Sequence, residues 1–331
     1  MNLYTTVSLP GGLPRLEHDS RLMLLGSCFA TGMGARLTQA KFCCDVNPYG
    51  VLYNPLSIST ALREVVARRH YAEADLCLHG GLWHSPMHHG DFSRPDPQET
   101  LGLINTRIDR AHALLDRLDC LLLTLGTAYV YRQRSTGRVV GNCHKMPETD
   151  FVRTRLTVDE IAADYTSLLS GLLARRPGLH VVFTVSPIRH LRDGLHANQL
   201  SKATLLLAVD RLTEAFAGRV SYFPAYEIVV DELRDYRFYG DDLVPPTPLA
   251  ADYVWERFAQ ACLSPQARQA ADECAALSRM LAHRPLHPGS EQHRAFLQAA
   301  RARVEQLAAR YPYADFQQEY LQTSCNTPSD K

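Results

Sequence analysis

The sequence lacks a surplus of charge of either sign. Its 331 residues include 35 Lys and Arg against 35 Asp and Glu, so the formal net charge is zero at pH 7. Proteins that bind nucleic-acid phosphates or an anionic membrane surface normally carry a basic excess. We therefore expect neither a nucleic acid nor a membrane as a partner of this chain.

Long apolar runs and paired cysteines are missing as well. The sequence contains no run of about 18 apolar residues, the length that spans a bilayer, and its first residues lack the pattern of a secretory signal. Its nine cysteines are scattered, with no Cys-x-x-Cys pair, which disfavours a zinc ribbon. Scattered thiols of odd number are typical of a reducing compartment, so we expect a cytoplasmic protein.

Short apolar runs alternate with helical patterns from about residue 20 to residue 262. The runs predict buried strands at 22–25, 120–125 and 181–185, and weaker strands at 43–46 and 220–223. Apolar spacings of three and four residues predict helices at 30–41, 55–68, 98–118, 158–175, 198–217 and 248–262. Such an alternation predicts an α/β fold, a three-layer α/β/α doubly wound and mostly parallel sheet.

The pattern changes after residue 262 to two helices, at 265–282 and 291–310. The second carries Phe296, Ala300 and Val304 on one face, which needs a partner surface. We expect a C-terminal helical hairpin that packs on the main domain or forms a homo-oligomer interface. The predicted division is therefore a catalytic-type domain, residues 1–262, and a helical extension, residues 263–331.

The strand at 22–25 ends in Gly26-Ser27-Cys28, and a helix follows at once. Ligands of open parallel sheets bind beyond the carboxyl ends of the strands, so Ser27 stands where a nucleophile is expected. A serine before a helix is also a common N-cap, and the tripeptide alone favours that role. Cys28 is a rival nucleophile near the helix N-terminus, although the apolar Cys-Phe-Ala run favours inward packing of its side chain.

Further polar motifs follow the other predicted strands. They are Asn47-Pro48-Tyr49-Gly50, Gly126-Thr127-Ala128, Asn142-Cys143-His144-Lys145, the segment 186–190 and the aromatic and acidic stretch 236–242. Together with Gly26-Ser27-Cys28-Phe29-Ala30, these collinear motifs resemble the GSCFA family, which is named for those five residues and belongs to the SGNH (GDSL-like) hydrolases. The resemblance covers the chain from about residue 4 to residue 258.

The resemblance implies a flavodoxin-like fold and a serine-dependent ester hydrolase or acyltransferase. Its substrates would be small-molecule or carbohydrate esters, acetylated carbohydrates among them, and no cofactor or metal ion is expected. Ser27 would be the nucleophile, and the Ser27 amide, Gly50 and an asparagine would hold the oxyanion. SGNH proteins carry that asparagine in a Gly-x-Asn-Asp block, but here the block begins at Gly126 and contains none. The substitutes are Asn142 first, then Asn47 and Asn54.

A second departure from the family concerns the proton acceptor. Related sequences carry an Asp-x-x-His element, whereas here Asp242 is followed by Pro245 at the histidine position. Proline accepts no proton, and the loss of one triad member costs about 10⁴–10⁶ in turnover. Two hypotheses follow. Either another histidine is the base, for which His190 ranks before His144 and His89, or the protein is a degenerate relative that binds a ligand without turnover.

The segment 79–97 is rich in Gly, His and Pro and predicts an irregular loop. It concentrates four histidines next to Asp91, namely His79, His84, His88 and His89. Because these residues show no recognised zinc-ligand spacing, we do not expect a metal site there. The resemblance suggests instead that His84 and His89 belong to a loop over the pocket.

Two further sets of charged residues have an ordinary and a functional interpretation. Arg237, with Arg234, is a candidate brace for Asp242 or an anchor for an anionic ligand group. Ser201-Lys202 is placed near the start of a predicted helix, where capping by the serine and a solvated lysine are the expectation. Ser-Lys catalysis is the less favoured alternative.

Overall fold

The computed structural model describes residues 5–282, 286–287 and 290–324. Its strands are β1 Arg21–Gly26, β2 Cys43–Val46, β3 Cys77–His79, β4 Leu82–His84, β5 Cys120–Leu125, β6 Tyr129–Gln133, β7 Val139–Val140, β8 Phe151–Arg155, β9 His180–Val185 and β10 Val220–Tyr222. Its α-helices are α1 Cys28–Gln39, α2 Pro55–Ala67, α3 Pro97–Leu115, α4 Val158–Arg175, α5 Gly194–Ala215, α6 Ala225–Glu227, α7 Pro248–Cys262, α8 Pro265–Leu281, α9 Glu291–Arg310 and α10 Gln317–Ser324.

Five parallel strands form the central sheet in the spatial order β2-β1-β5-β9-β10. Counted along the chain this order is 2-1-3-4-5, which is the flavodoxin-like arrangement. The predicted α/β class with a mostly parallel sheet is confirmed, and so are all five predicted strands. Strands β1, β5 and β9 are almost fully buried because helices cover both faces of the sheet.

Alternate residues of each strand pack on opposite faces of the sheet. Met23, Leu121 and Phe183 join one core, to which helices α2, α3, α4 and α5 contribute their apolar sides. Leu22, Leu122 and Val182 join the other core, with helices α1, α7 and α8. The fold therefore has the three predicted layers.

The C-terminal helices pack within the chain. The apolar face of α9 around Val304 and Leu307 contacts Cys274 and Leu277 of α8. On its other side, α8 packs through Ala267 and other small residues onto the core that includes α1. The predicted hairpin thus finds its partner surface on the same chain, whereas a homo-oligomer and the division at residue 262 stay predictions.

The topology places a crevice at the carboxyl ends of β1 and β5. The connection from β1 runs through α1 on one face of the sheet, while β5 leads on to α4 on the other face. The two connections diverge at this point, which is where open α/β sheets bind their ligands. The residues directly after Gly26 and Leu125 therefore lie where a bound ligand is expected.

Two small antiparallel sheets add to this architecture. Strands β7-β6-β8 form one, and β3-β4 form a hairpin at the beginning of the segment that was expected to be irregular. None of these short strands was predicted from the sequence. Among the described residues, no helix is both long and apolar enough to cross a membrane.

Candidate active site

A cleft of about 670 Å³ opens at the carboxyl edge of the sheet. Candidate residues from the sequence line it, among them Ser27, Asn54, Asn142 and His190. Cys28 and Tyr53 also line it, beside the end of β1. The structure thus brings together the proposed nucleophile, the first-ranked base and the first-ranked oxyanion asparagine.

The turn at Gly26 places Ser27 at the edge of the cleft. Gly26 has φ +147°, and a Cβ at this position would lie 2.2 Å from the carbonyl oxygen of Thr124. Only glycine fits such a close approach to β5. Ser27 then caps α1, because its Oγ accepts a hydrogen bond from the Phe29 amide at 3.3 Å, and the residue is 2% exposed. Ser27 therefore caps α1, as the tripeptide suggested, and also lines the cleft.

The expectation that Cys28 packs inward is wrong. Cys28 is exposed, whereas the next residue, Phe29, turns into the core. Its Sγ lies 3.5 Å from the hydroxyl of Tyr53 on the cleft wall. The Ser27 amide, the oxyanion donor expected from the resemblance, is not free, because it donates to the Thr124 carbonyl oxygen at 3.4 Å. The next amide, that of Cys28, is the first N–H of α1, and no described residue accepts a hydrogen bond from it. An unpaired N–H at a helix N-terminus is a good donor to a developing negative charge.

His190 lines the cleft after β9, and its ring lies 5.8 Å from the ring of Tyr53. Burial, together with the positive charge of Lys202, lowers the pKa of His190 to about 4. The imidazole is therefore neutral at pH 7 and carries a free lone pair. In the part of the chain that the structure describes, no hydrogen bond joins His190 to Ser27.

The solvated lysine expected at position 202 is instead buried, with an exposure of 1%. Helix α5 begins at Gly194, so Lys202 lies in the helix interior and faces the sheet. Its Nζ donates to the carbonyl oxygens of Gly126 and Ser186, both at 2.6 Å. Burial lowers the pKa of Lys202 to about 7. This side chain ties the ends of β5 and β9 together beneath the cleft.

Of the three candidate asparagines, Asn142 has a free amide in the cleft. Its Oδ1 accepts from the His144 amide at 2.8 Å, while its Nδ2 donates to no described residue. Asn47 braces the end of β1, since its Oδ1 accepts from the Gly26 amide at 2.8 Å and its Nδ2 is bonded to Thr31. Asn54 caps α2 through Ser57. Asn142 is therefore the best placed oxyanion donor among them.

Neither of the two candidate glycines presents a free amide to the cleft. The Gly50 amide donates to the carbonyl oxygen of Asn47 at 2.8 Å, and the Gly126 amide donates to that of Tyr53 at 2.7 Å. Gly50 has φ +73°, and a Cβ there would lie 2.2 Å from the Cβ of His89. Both residues shape the loops that follow β2 and β5.

The other two candidate bases do not line the cleft. His144 Nε2 lies 2.7 Å from the Ser85 carbonyl oxygen, and burial lowers the pKa of His144 to about 4. His89 pairs with Asp91, with 3.0 Å between Nδ1 and Oδ2. His84 stacks on His144, with 4.3 Å between ring centroids. The histidine loop thus supports the wall that carries Asn142 and does not cover the cleft.

The loop after β10 carries the last candidates. Asp242 is exposed, and its Oδ1 accepts from the Val244 amide at 3.1 Å. Arg237 pairs with Asp235 at 3.6 Å and makes no described contact with Asp242. Pro245 lines a smaller pocket of about 200 Å³ that Cys28 also lines. The residue at the position where related sequences carry histidine therefore lines the same small pocket as the residue that follows Ser27.

One wall of the cleft was not predicted from the sequence. Tyr129 and Tyr131 of β6, with Phe151 and Arg153 of β8, all line the cleft. Because side chains two residues apart share one face of a strand, the small antiparallel sheet presents these four residues together. The alternation in Tyr-Val-Tyr and Phe-Val-Arg was the available signal. Across the described ranges, no three His, Cys, Asp or Glu residues are placed to hold a metal ion.

The fold and the cleft define a flavodoxin-like α/β protein with a serine at the switch point of its sheet. Residues 21–258 match the model of the GSCFA family, and residues 274–325 match the C-terminal domain of GSCFA domain proteins. The chain belongs to the GSCFA family.

Comparisons with other proteins add little beyond the family. A search of curated proteins gives no match. A solved structure, that of an acetyl xylan esterase from the rumen bacterium Butyrivibrio proteoclasticus, is similar over 74% of this chain, with 10% sequence identity and a TM-score of 0.34. The similar region spans 65% of that esterase chain.

Proposed function

We propose that this protein is a serine-dependent ester hydrolase or acyltransferase that acts on O-acyl groups, acetylated carbohydrates among them, through Ser27. The observation that carries the proposal is that Ser27 and His190 line one cleft at the switch point of the sheet. Membership of the GSCFA family supports it, since this family resembles the SGNH hydrolases.

In the first step, the Oγ of Ser27 adds to the acyl carbonyl carbon while its proton passes to a ring nitrogen of His190. The carbonyl electrons move onto the carbonyl oxygen, which becomes an oxyanion. The free amide of Cys28 and the free Nδ2 of Asn142 are the donors for that oxygen. The proton on His190 then passes to the leaving alcohol as the ester C–O bond breaks, which leaves an acyl group on Ser27.

In the second step, water or a second alcohol attacks the acyl group on Ser27. His190 takes the proton of the attacking oxygen and returns it to the Oγ of Ser27 as the acyl bond breaks. Water as the attacking group gives hydrolysis, and an alcohol gives acyl transfer. A base whose pKa lies near 4 accepts protons weakly, so we expect slow turnover compared with enzymes whose histidine titrates near pH 7.

The serine must also leave its capping position. Its Oγ accepts from the Phe29 amide, so a rotation about χ1 has to direct it towards the cleft. The loss of such a cap costs about 1 kcal/mol, which is small compared with the barrier of an ester hydrolysis. The cap therefore does not prevent Ser27 from acting as the nucleophile.

Substitution of Ser27 tests the proposal against a matched control. Ser264 caps α8 in the same way, accepting from the Ala267 amide at 3.0 Å, and it does not line the cleft. We expect Ser27→Ala to lower the turnover of p-nitrophenyl acetate at least about 10³-fold, whereas Ser264→Ala loses a cap but keeps the turnover. Equal rates for Ser27→Ala and the unaltered protein would contradict the role of Ser27. Activity lost only in Cys28→Ala would assign it to the thiol.

A second candidate function is ligand binding without turnover. Pro245 favours it, because related sequences carry the catalytic histidine at that position. The variant Pro245→His separates the two functions, since Pro245 lies beside Cys28 across a pocket of about 200 Å³. A large gain in esterase activity from a silent protein supports the binding function. Turnover in the unaltered protein that falls in His190→Gln supports His190 as the base.

A further inference from the structure

We propose that the ligand of the cleft carries an anionic group, a carboxylate or a phosphate, which Lys145 and Arg189 bind. This inference rests on the proposed function only for the acyl part of the ligand. It deepens that function by assigning a substrate class, an acylated compound that is negatively charged.

The cleft is basic although the whole chain is neutral. Six side chains of fixed charge line it, four of them basic and two acidic, namely Lys145, Arg153, Arg189, Arg192, Glu148 and Asp193. The formal net charge of the whole chain is zero. A concave site with low-dielectric walls concentrates the field of such a local excess and attracts ligands of opposite sign.

The two acidic residues already have partners. Asp193 pairs with Arg153, and Glu148 pairs with Arg192 at 2.5 Å. Lys145 and Arg189 remain, and no described carboxylate lies within 4.0 Å of either of them. The positive charge that the protein leaves uncompensated in the cleft therefore belongs to these two side chains.

Arg189 is held in place by neutral groups. Its guanidinium lies 4.4 Å from the centroid of the Tyr239 ring, and its Nη2 donates to the Tyr239 hydroxyl at 3.3 Å. Its Nη1 donates to the Leu243 carbonyl oxygen at 3.5 Å. These contacts hold the guanidinium group of Arg189 in place but leave its positive charge without a carboxylate partner among the described residues. A fixed guanidinium with free N–H groups suits the two oxygens of a carboxylate or phosphate.

Lys145 lies in a turn with strained backbone. His144 has φ +47° and Lys145 has φ +58°, two successive non-glycine residues in the left-handed region. Such conformations persist where neighbouring contacts enforce them, and they are common at ligand sites. Here the Asn142 side chain binds the His144 amide, and the His144 ring binds the Ser85 carbonyl oxygen. The turn thus sets the direction from which the exposed ammonium group reaches the mouth of the cleft.

The rest of the ligand would lie against the small sheet. Tyr129 and Tyr131 line the cleft there, and the guanidinium of Arg153 lies 4.0 Å from the centroid of the Tyr129 ring. This guanidinium covers one face of the Tyr129 ring, and the remaining aromatic surface of the wall would contact a sugar or an aryl ring of the ligand. The ligand class that fits is therefore an acylated sugar or aryl compound with an acidic group.

The test uses probes that differ in charge and carry an acetamide in place of the carboxylic ester. Binding of 4-acetamidobenzoate, 4-acetamidophenyl phosphate and uncharged 4-acetamidobenzamide to the unaltered protein and to Ser27→Ala is measured by calorimetry at low and high salt. We expect the anions to bind about tenfold more tightly than the amide, and this preference to weaken as salt rises. Lys145→Gln and Arg189→Gln should each weaken anion binding about three- to fivefold and leave amide binding unchanged.

Arg237→Gln is the matched control, because Arg237 is an exposed arginine outside the cleft. It should leave the anion preference unchanged. Equal affinity for the benzoate and the benzamide, or an unchanged preference in both Lys145→Gln and Arg189→Gln, would overturn the inference. A stronger preference for the phosphate supports a phosphorylated ligand, and one for the benzoate supports a carboxylate.

The two proposals fail separately. The binding measurement does not require Ser27 to react, so an anion preference in a protein without esterase activity removes only the catalytic proposal. Ser27-dependent turnover of esters without any anion preference removes only the charged substrate class.

Discussion

At the scale of single residues, Ser27 carries two roles that the sequence alone presents as alternatives. The structure shows its Oγ as the cap of α1 and also places the residue on the cleft. The turn at Gly26 could be anticipated from the tripeptide. The exposure of Cys28 could not, because the first residue of a helix can face either side, and the packing of Phe29 decides which.

A substitution at Gly26 should show how much the conformation of this turn contributes to the free energy of unfolding. With φ +147° and the Thr124 carbonyl oxygen 2.2 Å from the position of a Cβ, Gly26→Ala forces the ends of β1 and β5 apart. We expect a loss of at least about 2 kcal/mol in the free energy of unfolding, measured by chemical denaturation.

Gly171→Ala is the control for that measurement. Gly171 lies within α4, has ordinary helical backbone, and nothing lies within 4 Å of the position of its Cβ. Alanine there should raise stability by up to about 1 kcal/mol. A stable Gly26→Ala protein would mean that the close approach to β5 does not hold Ser27 in place.

At the scale of elements, strands and helices differed in how well the sequence predicted them. The parallel strands are buried on both faces and read as continuous apolar runs, so β1, β5 and β9 were predicted. Strands β6 and β8 mix aromatic residues with arginine and form no continuous apolar run, so they were not predicted. Helix α5 begins at Gly194 rather than at residue 198, and Lys202, expected to be solvated, lies on its buried face.

The contact between α5 and the strand ends leads to a pH measurement. Because the charge of Lys202 helps to lower the pKa of His190, Lys202→Met should raise that pKa from about 4 towards the ordinary value near 6.5. Proton uptake by His190 in the folded protein would then begin at a higher pH. NMR titration of the histidine ring follows this change directly.

The variant His190→Gln is the control for that titration, because the signal that it lacks identifies the His190 resonance. In the unaltered protein the base stays deprotonated down to about pH 4, so the acid limb of the esterase pH profile should lie near that value. In Lys202→Met the same limb should shift to higher pH. An unchanged His190 pKa in Lys202→Met would show that Lys202 serves only to bind the Gly126 and Ser186 carbonyl oxygens.

At the scale of the whole molecule, the three layers and the mostly parallel sheet followed from the alternation of apolar runs and helical patterns. The flavodoxin-like arrangement was implied only by the family resemblance, and the spatial relation between distant residues did not follow from the alternation. His190 and Asn142 line the same cleft although they are 48 residues apart in the sequence, and Ser27 is 115 residues from Asn142. No local sequence pattern indicates that such distant residues lie close together. Asp242 was the candidate aspartate of the Asp-x-x-His element, and Arg237 was a candidate brace for it or an anchor for an anionic ligand group. Both side chains are exposed and have other partners. The C-terminal helices complete the layer around α1, and an ion pair of 2.5 Å joins Lys41 to Glu319 of α10.

The most direct test of the central claim is covalent labelling of the protein with a fluorophosphonate, followed by peptide mass spectrometry. An activated serine attacks the phosphorus, fluoride leaves, and a stable phosphonyl ester remains on Oγ. We expect one label, on Ser27, that is present in Ser264→Ala and absent from Ser27→Ala. A protein that takes up no label, or takes it up on a residue other than Ser27, would contradict the account.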